Sequence, residues 1–594
     1  MLLALVTGHL PLQDPQYVME YFNNSIHTPE GVGLYTLLQV LRVLLASVSQ
    51  LDEDDRKSLQ KDLVALVRRF LIPPELISTA IDIATLVSWL ESGGSRGTVP
   101  TPKKIASTSS SEVNLDGVVN LKVYHNKLDE WAYDIIQMID EELGSRILQQ
   151  TDKSEVEDTR MTRQIFTLGE LAQICPHKIN KRLFLLMQGI IFQQGSSKKK
   201  SRQTLPSSQT QSNDPVQVAF TPTTKLQALS VITLTKMCLQ NEDMAKRVVP
   251  AFGRLLDTTS DIALKNNIMY SLSDMCIRYA SLVDPLIPQM TACLKDENLI
   301  VRRTTLTTLI HLLQEDYLKM TSSFFFRILQ TLCDATDEIK DLTTFYIQQR
   351  LLKRKPKIMF QNLIESIFHF NDYTTHDTYN KMKVSEHERK LFALWGKKNK
   401  EDRMKLYKFM LEHMSDEHRF ETTHKLCKDI LNGCVEGSVK LNSNNAKELL
   451  QDTLAVLASD EIKLASLKSK VEGEEEPIED PHAEMAGALV AAAKKKIISQ
   501  VVKKNVIENI IPIVIALKHK LEKLRSPLLD DLMTYLREVM KDYKNEVKEI
   551  LAADKQLATE IQFDLKKWEE EMEARKAREE EEVILESCLF LSSI

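Results

Sequence analysis

Glycine and proline are both scarce in this sequence, at 17 and 19 of 594 residues, each about 3% against roughly 7% and 5% in ordinary chains. Tight turns depend on both, so their shortage argues against an all-β fold. It argues equally against nucleotide enzymes built on a glycine-rich phosphate loop. No G-x-x-x-x-G-K-S/T segment occurs, and Gly31-Val32-Gly33 lacks a third glycine. G-x-S-x-G, H-E-x-x-H and EF-hand loops are missing as well. Cysteine is limited to eight residues (Cys175, Cys238, Cys276, Cys293, Cys333, Cys427, Cys434, Cys588) without a C-x-x-C pair. That is too sparse for a disulfide scaffold and suits a reducing compartment. Neither sign of charge dominates: 77 basic against 83 acidic side chains leave a net charge of −6. Any contact with nucleic acid must therefore come from local patches. Long apolar runs are missing too, because 32–48 is broken by Arg42 and 497–517 by Lys503, Lys504 and Glu508, so no transmembrane helix is expected. The opening MLLALVTGHLPL lacks a basic stretch and does not read as a signal peptide.

What is present is 43% hydrophobic and 27% charged, the balance of a foldable, soluble helical chain, expected inside the cell. Helical spacing is clear at 33–49 and at 53–71, where Leu59, Leu63, Leu66, Val67 and Phe70 share a face and Pro73-Pro74 follows. Composition divides the chain into helical repeats at 1–92, a flexible linker at 93–115 and helical repeats at 116–194, with helices at 117–148 and 156–194. A basic, polar, disordered insert is expected at 195–224, a helical core at 225–370 and a further helical region at 371–470. An acidic linker at 471–483 precedes C-terminal helices at 484–583, the last of them (566–582) highly charged, and then an atypical tail at 584–594.

The core repeats itself. RQIFTLGELAQIC (163–175), QALSVITLTKMCL (227–239), NNIMYSLSDMCIR (266–278) and RTTLTTLIHLLQE (303–315) align Leu168, Leu234, Leu272 and Leu309, followed by Leu171, Met237, Met275 and Leu312. The leucines lie 66, 38 and 37 residues apart, and removing the insert of roughly 28 residues brings the first interval to about 38. A second helix is expected in each unit, opening near Pro250 and Pro288. Acidic turns then lead to Lys265, Arg302 and Lys340, spaced 37 and 38 apart. A helix pair of this kind cannot bury its apolar stripe alone, so neighbours must stack. The proline, acidic turn and Val-Arg pattern resembles HEAT units. The expected fold is all-α: a HEAT-type α-solenoid of stacked antiparallel helix pairs with a long charged C-terminal helix.

Few residues suggest chemistry. His413, His418, His424 and Cys427 could offer metal ligands, although their spacing is loose for structural zinc. Cys238 and Cys276 hold equivalent repeat positions and suit core packing. No catalytic residue, metal or cofactor is expected. Phe324-Phe325-Phe326 reads as a buried helix face. Three basic clusters could neutralise phosphates or simply be solvated: Lys198, Lys199, Lys200 and Arg202; Arg350, Lys353, Arg354, Lys355 and Lys357; and Lys494, Lys495, Lys496, Lys503 and Lys504. Lys353, Arg354, Lys355 and Lys357 also fit a nuclear-import signal. Arg302 and Arg303 could bridge repeats or touch DNA. Thr101 and Thr221, each followed by proline, suit proline-directed kinases.

The segments LKDENLIVRRTTLTTLIHLLQEDYLK (294–319), LLKRKPKIMFQNLIESIFHFNDY (351–373), DRMKLYKFMLEHMSDEHRF (402–420), KKIISQVVKKNVIENIIPIVIALKHKLEK (495–523) and MTYLREVMKDYKNEVKEILAADKQLATE (533–560) resemble the HEAT-repeat subunits of condensin, the Cap-D class, and the condensin II type in particular. The resemblance covers about 160–570. It implies a non-enzymatic scaffold that binds the kleisin subunit, a second HEAT subunit and, through kleisin, the structural-maintenance-of-chromosomes ATPase pair. It further implies contact with double-stranded DNA and chromatin, a role in mitotic chromosome condensation, and residence in the nucleus and on mitotic chromosomes, with no membrane partner. The ATPase-head contact would fall at Lys319 and Met320. The family's aromatic residue and Lys-Gly turn are replaced there by Met320-Thr321-Ser322. Reading a methylated histone tail, another role in the family, would need an aromatic cage, and with aromatics at 6% none can be pointed to. Family members are longer, so the chain is expected to begin inside the array and to end early. The alternative is a HEAT-type transport or phosphatase scaffold that binds protein but not DNA.

Overall fold

Every regular element among the described residues is helical. The computed structural model describes residues 15–26, 33–94, 121–148, 155–192, 222–382, 384–462, 506–542, 563, 565–574 and 578. The linker beyond Gly94, the insert up to Thr221, the acidic stretch 471–483 and the tail 584–594 lie outside them. The chain forms two compact units, Met1–Lys319 and Met320–Ile594. No helix of the described residues is long and apolar enough to cross a membrane.

The first unit contains α1 (Pro15–Ile26), α2 (Leu34–Ser47), α3 (Glu53–Arg69), α4 (Pro74–Leu90), α5 (Leu121–Leu148), α6 (Glu155–Ile174), α7 (Lys181–Phe192), α8 (Thr224–Leu239), α9 (Glu242–Thr258), α10 (Ile262–Arg278), the short α11 (Ile287–Ala292) and α12 (Leu299–Gln314). The even-numbered helices from α2 to α10 and α12 lie side by side in one layer, each touching the next. The intervening helices pack against them. Leu168, Leu234, Leu272 and Leu309 sit on α6, α8, α10 and α12, and all four are fully buried. The repeat read from their spacing is thus the register of the layer, in which each helix lends its leucine to its neighbour's core.

Helix ends follow local chemistry. Asp52 accepts the Asp55 amide at 2.8 Å to cap α3, whose first turn carries Glu53, Asp54 and Asp55 and whose last carries Arg68 and Arg69. Phe70 stops it in the left-handed conformation, so the helix expected to run to 71 ends at Arg69, while Pro74 opens α4. Two expectations need correction. The segment 156–194 is two helices, because Cys175 precedes Pro176 and is forced out of the helical region, with φ −123° and ψ 61°. Pro250 does not open a helix but lies inside α9, which starts eight residues earlier at Glu242, behind its capping residue Asn241. Pro288 does stand in the first turn of α11.

Polar contacts stitch the layer. Thr233 on α8 donates to the Ile165 carbonyl of α6 at 2.9 Å. Asn267 on α10 donates to the Ala228 carbonyl of α8 at 2.8 Å. Gly169 permits the α6–α8 approach, since a Cβ there would meet the Thr233 hydroxyl at 3.0 Å. Lys265 pairs with Asp296 in the turn ahead of α12, and Arg302 closes that turn through the Asp296 and Glu297 carbonyls at 2.9 and 3.1 Å. Glu170 on α6 accepts from Ser78 on α4 at 2.9 Å and from Lys236 on α8 at 2.7 Å.

Partial desolvation of its carboxyl by the packed helices around it, and the negative charge of Glu170 beside it, push Asp82 up to about 6, although the residue's surface is exposed. A carboxyl group with a raised folded-state pKa opposes folding above that value, and the penalty fades as pH falls towards its unfolded pKa of about 4. Asp82→Asn is therefore expected to raise the urea midpoint at pH 7.5, by a shift worth about 1 kcal/mol or less because the side chain reaches solvent. The difference from the parent should vanish near pH 4. Equal midpoints at pH 7.5 would contradict this.

The second unit contains α13 (Ser322–Leu329), α14 (Asp337–Tyr346), α15 (Ile358–Phe370), the short α16 (Glu386–Leu391), α17 (Lys400–Glu412), α18 (Asp416–Lys425), α19 (Asn444–Ala458), α20 (Ile511–Lys523) and α21 (Leu528–Asp542). Phe324, Phe325 and Phe326 are all buried, with Phe326 stacked on His369 at 4.9 Å. The polar stretch after α15 packs closely: Tyr379 stacks on Phe368 at 4.7 Å and donates to Asp429 at 2.6 Å. The charged segment 565–574 is helical, and Trp568 fastens it to α21 by donating to Asp530 at 3.1 Å.

At the centre of this unit Arg403 is 1% exposed and Asp452 is fully buried. Arg403 Nε and Nη2 donate to the two Asp452 oxygens at 2.6 and 3.2 Å. Its Nη1 donates to the Leu394 and Gly396 carbonyls at 2.7 and 2.8 Å. Gly396 has φ +97°, a conformation that favours glycine. Asn371, at the end of α15, adds a 2.9 Å bond to Asp452. Burial opposes the guanidinium charge, but Asp452 outweighs it and holds the Arg403 pKa above its ordinary value.

Candidate functional site

The cluster expected at 350–357 is a basic feature exposed at each of its five cations, and its surroundings are described. Helix α14 runs into a π turn, Ile347–Leu351, and then a last helical stretch, Leu352–Arg354. Tyr346, Ile347 and Leu351 are buried and fix this segment to the unit's core. Pro356 ends it. It bars Lys355 from helical geometry (φ −134°, ψ 72°), and Ile358 begins α15 at once. The result places Arg350, Lys353, Arg354, Lys355 and Lys357 on solvent within eight residues. Lys353 reaches back to Gln349 at 3.2 Å. The cations also complement the C-terminal dipole of the helix they end, so the fold stabilises an array of charge that a phosphate backbone could neutralise.

The neighbouring histidines do not form a metal centre. His413 is held through Nδ1 to the Phe409 carbonyl at 2.8 Å and through Nε2 to Gln348 at 3.0 Å. His418 stacks on Phe360 at 4.7 Å, and Lys425 lies 4.3 Å from the same ring. Cys427 is buried, and burial pushes its thiol up to about 12. Among the described residues no group of three or more His, Cys, Asp or Glu side chains could hold a metal. Burial also raises the Cys238 thiol, and it takes Cys276 to about 11, which suits packing and not nucleophilic attack.

Lys319 is exposed at the end of the first unit, after a turn in which Tyr317 and Leu318 both donate to the Leu312 carbonyl at 2.9 and 3.2 Å. Met320 is half-buried at the start of the second. Thr321 caps α13 by accepting the Phe324 amide at 3.3 Å. Lys198, Lys199, Lys200, Arg202, Lys494, Lys495, Lys496, Lys503, Lys504, Thr101 and Thr221 lie outside the described residues. Sequence reasoning missed the Arg403–Asp452 centre, whose partners are 49 residues apart, and the Phe360–His418–Lys425 stack. No local pattern marks either.

Comparison with known proteins is consistent along the chain. Residues 157–256 and 460–579 each match a family described as condensin-2 complex subunit D3-like HEAT repeats. Residues 263–441 match the family of non-SMC mitotic condensation complex subunit 1. Condensin-2 complex subunit D3 of Mus musculus is 37% identical over 584 residues, covering 97% of this chain and 36% of the relative. Condensin-2 complex subunit D3-L of Xenopus laevis is 36% identical over 583 residues, covering 98% and 37%. The chain thus spans a little over a third of the length of these relatives. Among solved structures, the S. pombe condensin Cnd3-Cnd2 subcomplex has a chain that matches 90% of this one and 57% of itself, at 12% identity and a TM-score of 0.43.

Proposed function

The chain belongs to the condensin-2 D3-like family of HEAT-repeat subunits, and from that premise we propose that it is a non-catalytic scaffold of the condensin II complex that grips duplex DNA through its basic segment. In this reading its stacked helices receive the kleisin subunit. The complex also includes a second HEAT subunit and the structural-maintenance-of-chromosomes ATPase pair, with Lys319 and Met320 the candidates for the ATPase-head contact. The complex works in the nucleus and on mitotic chromosomes, where it supports condensation. Lys353, Arg354, Lys355 and Lys357 double as the import signal.

The observation that carries the DNA contact is the solvent-facing array of Arg350, Lys353, Arg354, Lys355 and Lys357, whose backbone is anchored by buried Ile347 and Leu351. Five phosphate contacts give a log–log salt slope of about −4.5, and affinity for duplex DNA should fall about 500-fold between 50 and 200 mM salt. Fluorescence anisotropy of a labelled duplex measures it. A slope near zero would favour the alternative, a scaffold that binds protein alone. Co-purification with kleisin and the ATPase pair tests assembly separately.

A further inference from the structure

A second cationic feature lies in the first unit, at the end of the helix read at 53–71. The end of α3, the middle of α5 and the start of α6 border an open depression of about 610 Å³, lined by Ala65, Arg68, Arg69, Leu71, Met138 and Arg160. Three of the six lining residues are arginines. Arg160 is locked in place: its Nε and Nη2 hold both Glu142 oxygens at 3.0 to 3.2 Å, and its Nη1 donates to the Arg69 carbonyl at 3.2 Å. Arg163 donates to the next carbonyl, Phe70, at 3.1 Å, and its buried Nε has no partner. The exposed carbonyls that would repel an anion at a helix C-terminus are therefore already answered by guanidinium groups. Glu142 is engaged by Arg160. Arg68 and Arg69 are exposed and have no side-chain partner among the described residues. Complementing the α3 dipole explains their sign. It does not explain why Leu71, 62% exposed, stands beside them with Ala65 and Met138 to make an apolar wall.

We propose that this depression binds a phosphorylated peptide, with the phosphate held by Arg68 and Arg69 beside the fixed Arg160 and a neighbouring apolar side chain seated on Leu71 and Met138. Guanidinium forks suit a doubly charged phosphate better than ammonium groups do. The apolar wall and the close grouping of the arginines separate the site from a nucleic-acid track, which needs cations spread along a ridge at successive phosphates. The proposal is independent of the DNA reading of the second unit.

The test uses the full chain and a labelled peptide with a central phosphothreonine followed by leucine. Binding is expected for this peptide and not for its unphosphorylated twin, and excess inorganic phosphate should displace it poorly because it lacks the apolar contact. Arg68→Ala with Arg69→Ala should weaken binding about tenfold or more while leaving helical circular dichroism and duplex-DNA affinity unchanged. Leu71→Ser should weaken it by a smaller factor. Equal binding of the two peptides, displacement by phosphate at matching concentration, or a fall in duplex affinity in the double arginine variant would each overturn the proposal. The last outcome would make the depression part of a nucleic-acid surface.

Discussion

Asp452→Ala is expected to destabilise the second unit by about 3–5 kcal/mol, the range seen when one partner of a buried ion pair is removed. The reasoning starts from what is left behind. Arg403 is 1% exposed and would keep its charge in a site that water does not reach, with the Leu394 and Gly396 carbonyls to accept from it and the Glu448 carboxylate, 3.8 Å away, too far for a hydrogen bond. Asn371 would lose its 2.9 Å acceptor as well, and its own side-chain oxygen already lacks a partner. The residues that meet here come from α15, α17, α19 and the bend at Gly396, so the loss would loosen four segments together. Urea denaturation followed by the fluorescence of Trp395, next to that bend, should show the second unit melting at markedly lower denaturant. Replacing both partners with leucine should cost less than either single alanine variant, because no unpaired charge then remains. If Asp452→Ala shifts the transition by under about 1 kcal/mol, the network is not the organising feature described here.

Reversing the charge of the basic segment should produce the largest functional effect. A variant with glutamate at Arg350, Lys353, Arg354, Lys355 and Lys357 replaces five attractive contacts by five repulsive ones. Duplex affinity at low salt should fall by about 1,000-fold or more. Alanine at the same positions should instead flatten the salt slope by about 0.9 per residue. Both variants should fold normally, since all five side chains face solvent while Ile347 and Leu351 keep the segment seated. Circular dichroism checks that, and anisotropy checks the affinity. Affinity within twofold of the parent in the glutamate variant would remove this segment from the DNA-binding surface.

The sequence made the repeat layer legible because burial there recurs: Leu234, Leu272 and Leu309 are 38 and 37 residues apart and fill the same place in successive helices. The basic segment was legible because its charges are contiguous. Breaks were less so. Because first turns tolerate proline, Pro250 points to a helix opening there, whereas the Asn241 cap places the start of α9 earlier. Pairings over long separations left no trace, since nothing near Arg403 indicates Asp452, and nothing near Arg68 indicates Arg160, which is 92 positions away. Periodicity reports which face of a helix is apolar, but it is silent on which distant polar groups that face must also satisfy.

The π turn at Ile347–Leu351 has a bearing on the direction of the basic segment. A wide turn absorbs one extra residue, and one residue of an α-helix corresponds to about 100° of rotation about the axis. The side chains beyond it are therefore swung by more than a quarter circle from where an unbroken helix would send them. Which compass bearing the cations take is decided by that single surplus link in the chain, placed ahead of most of them.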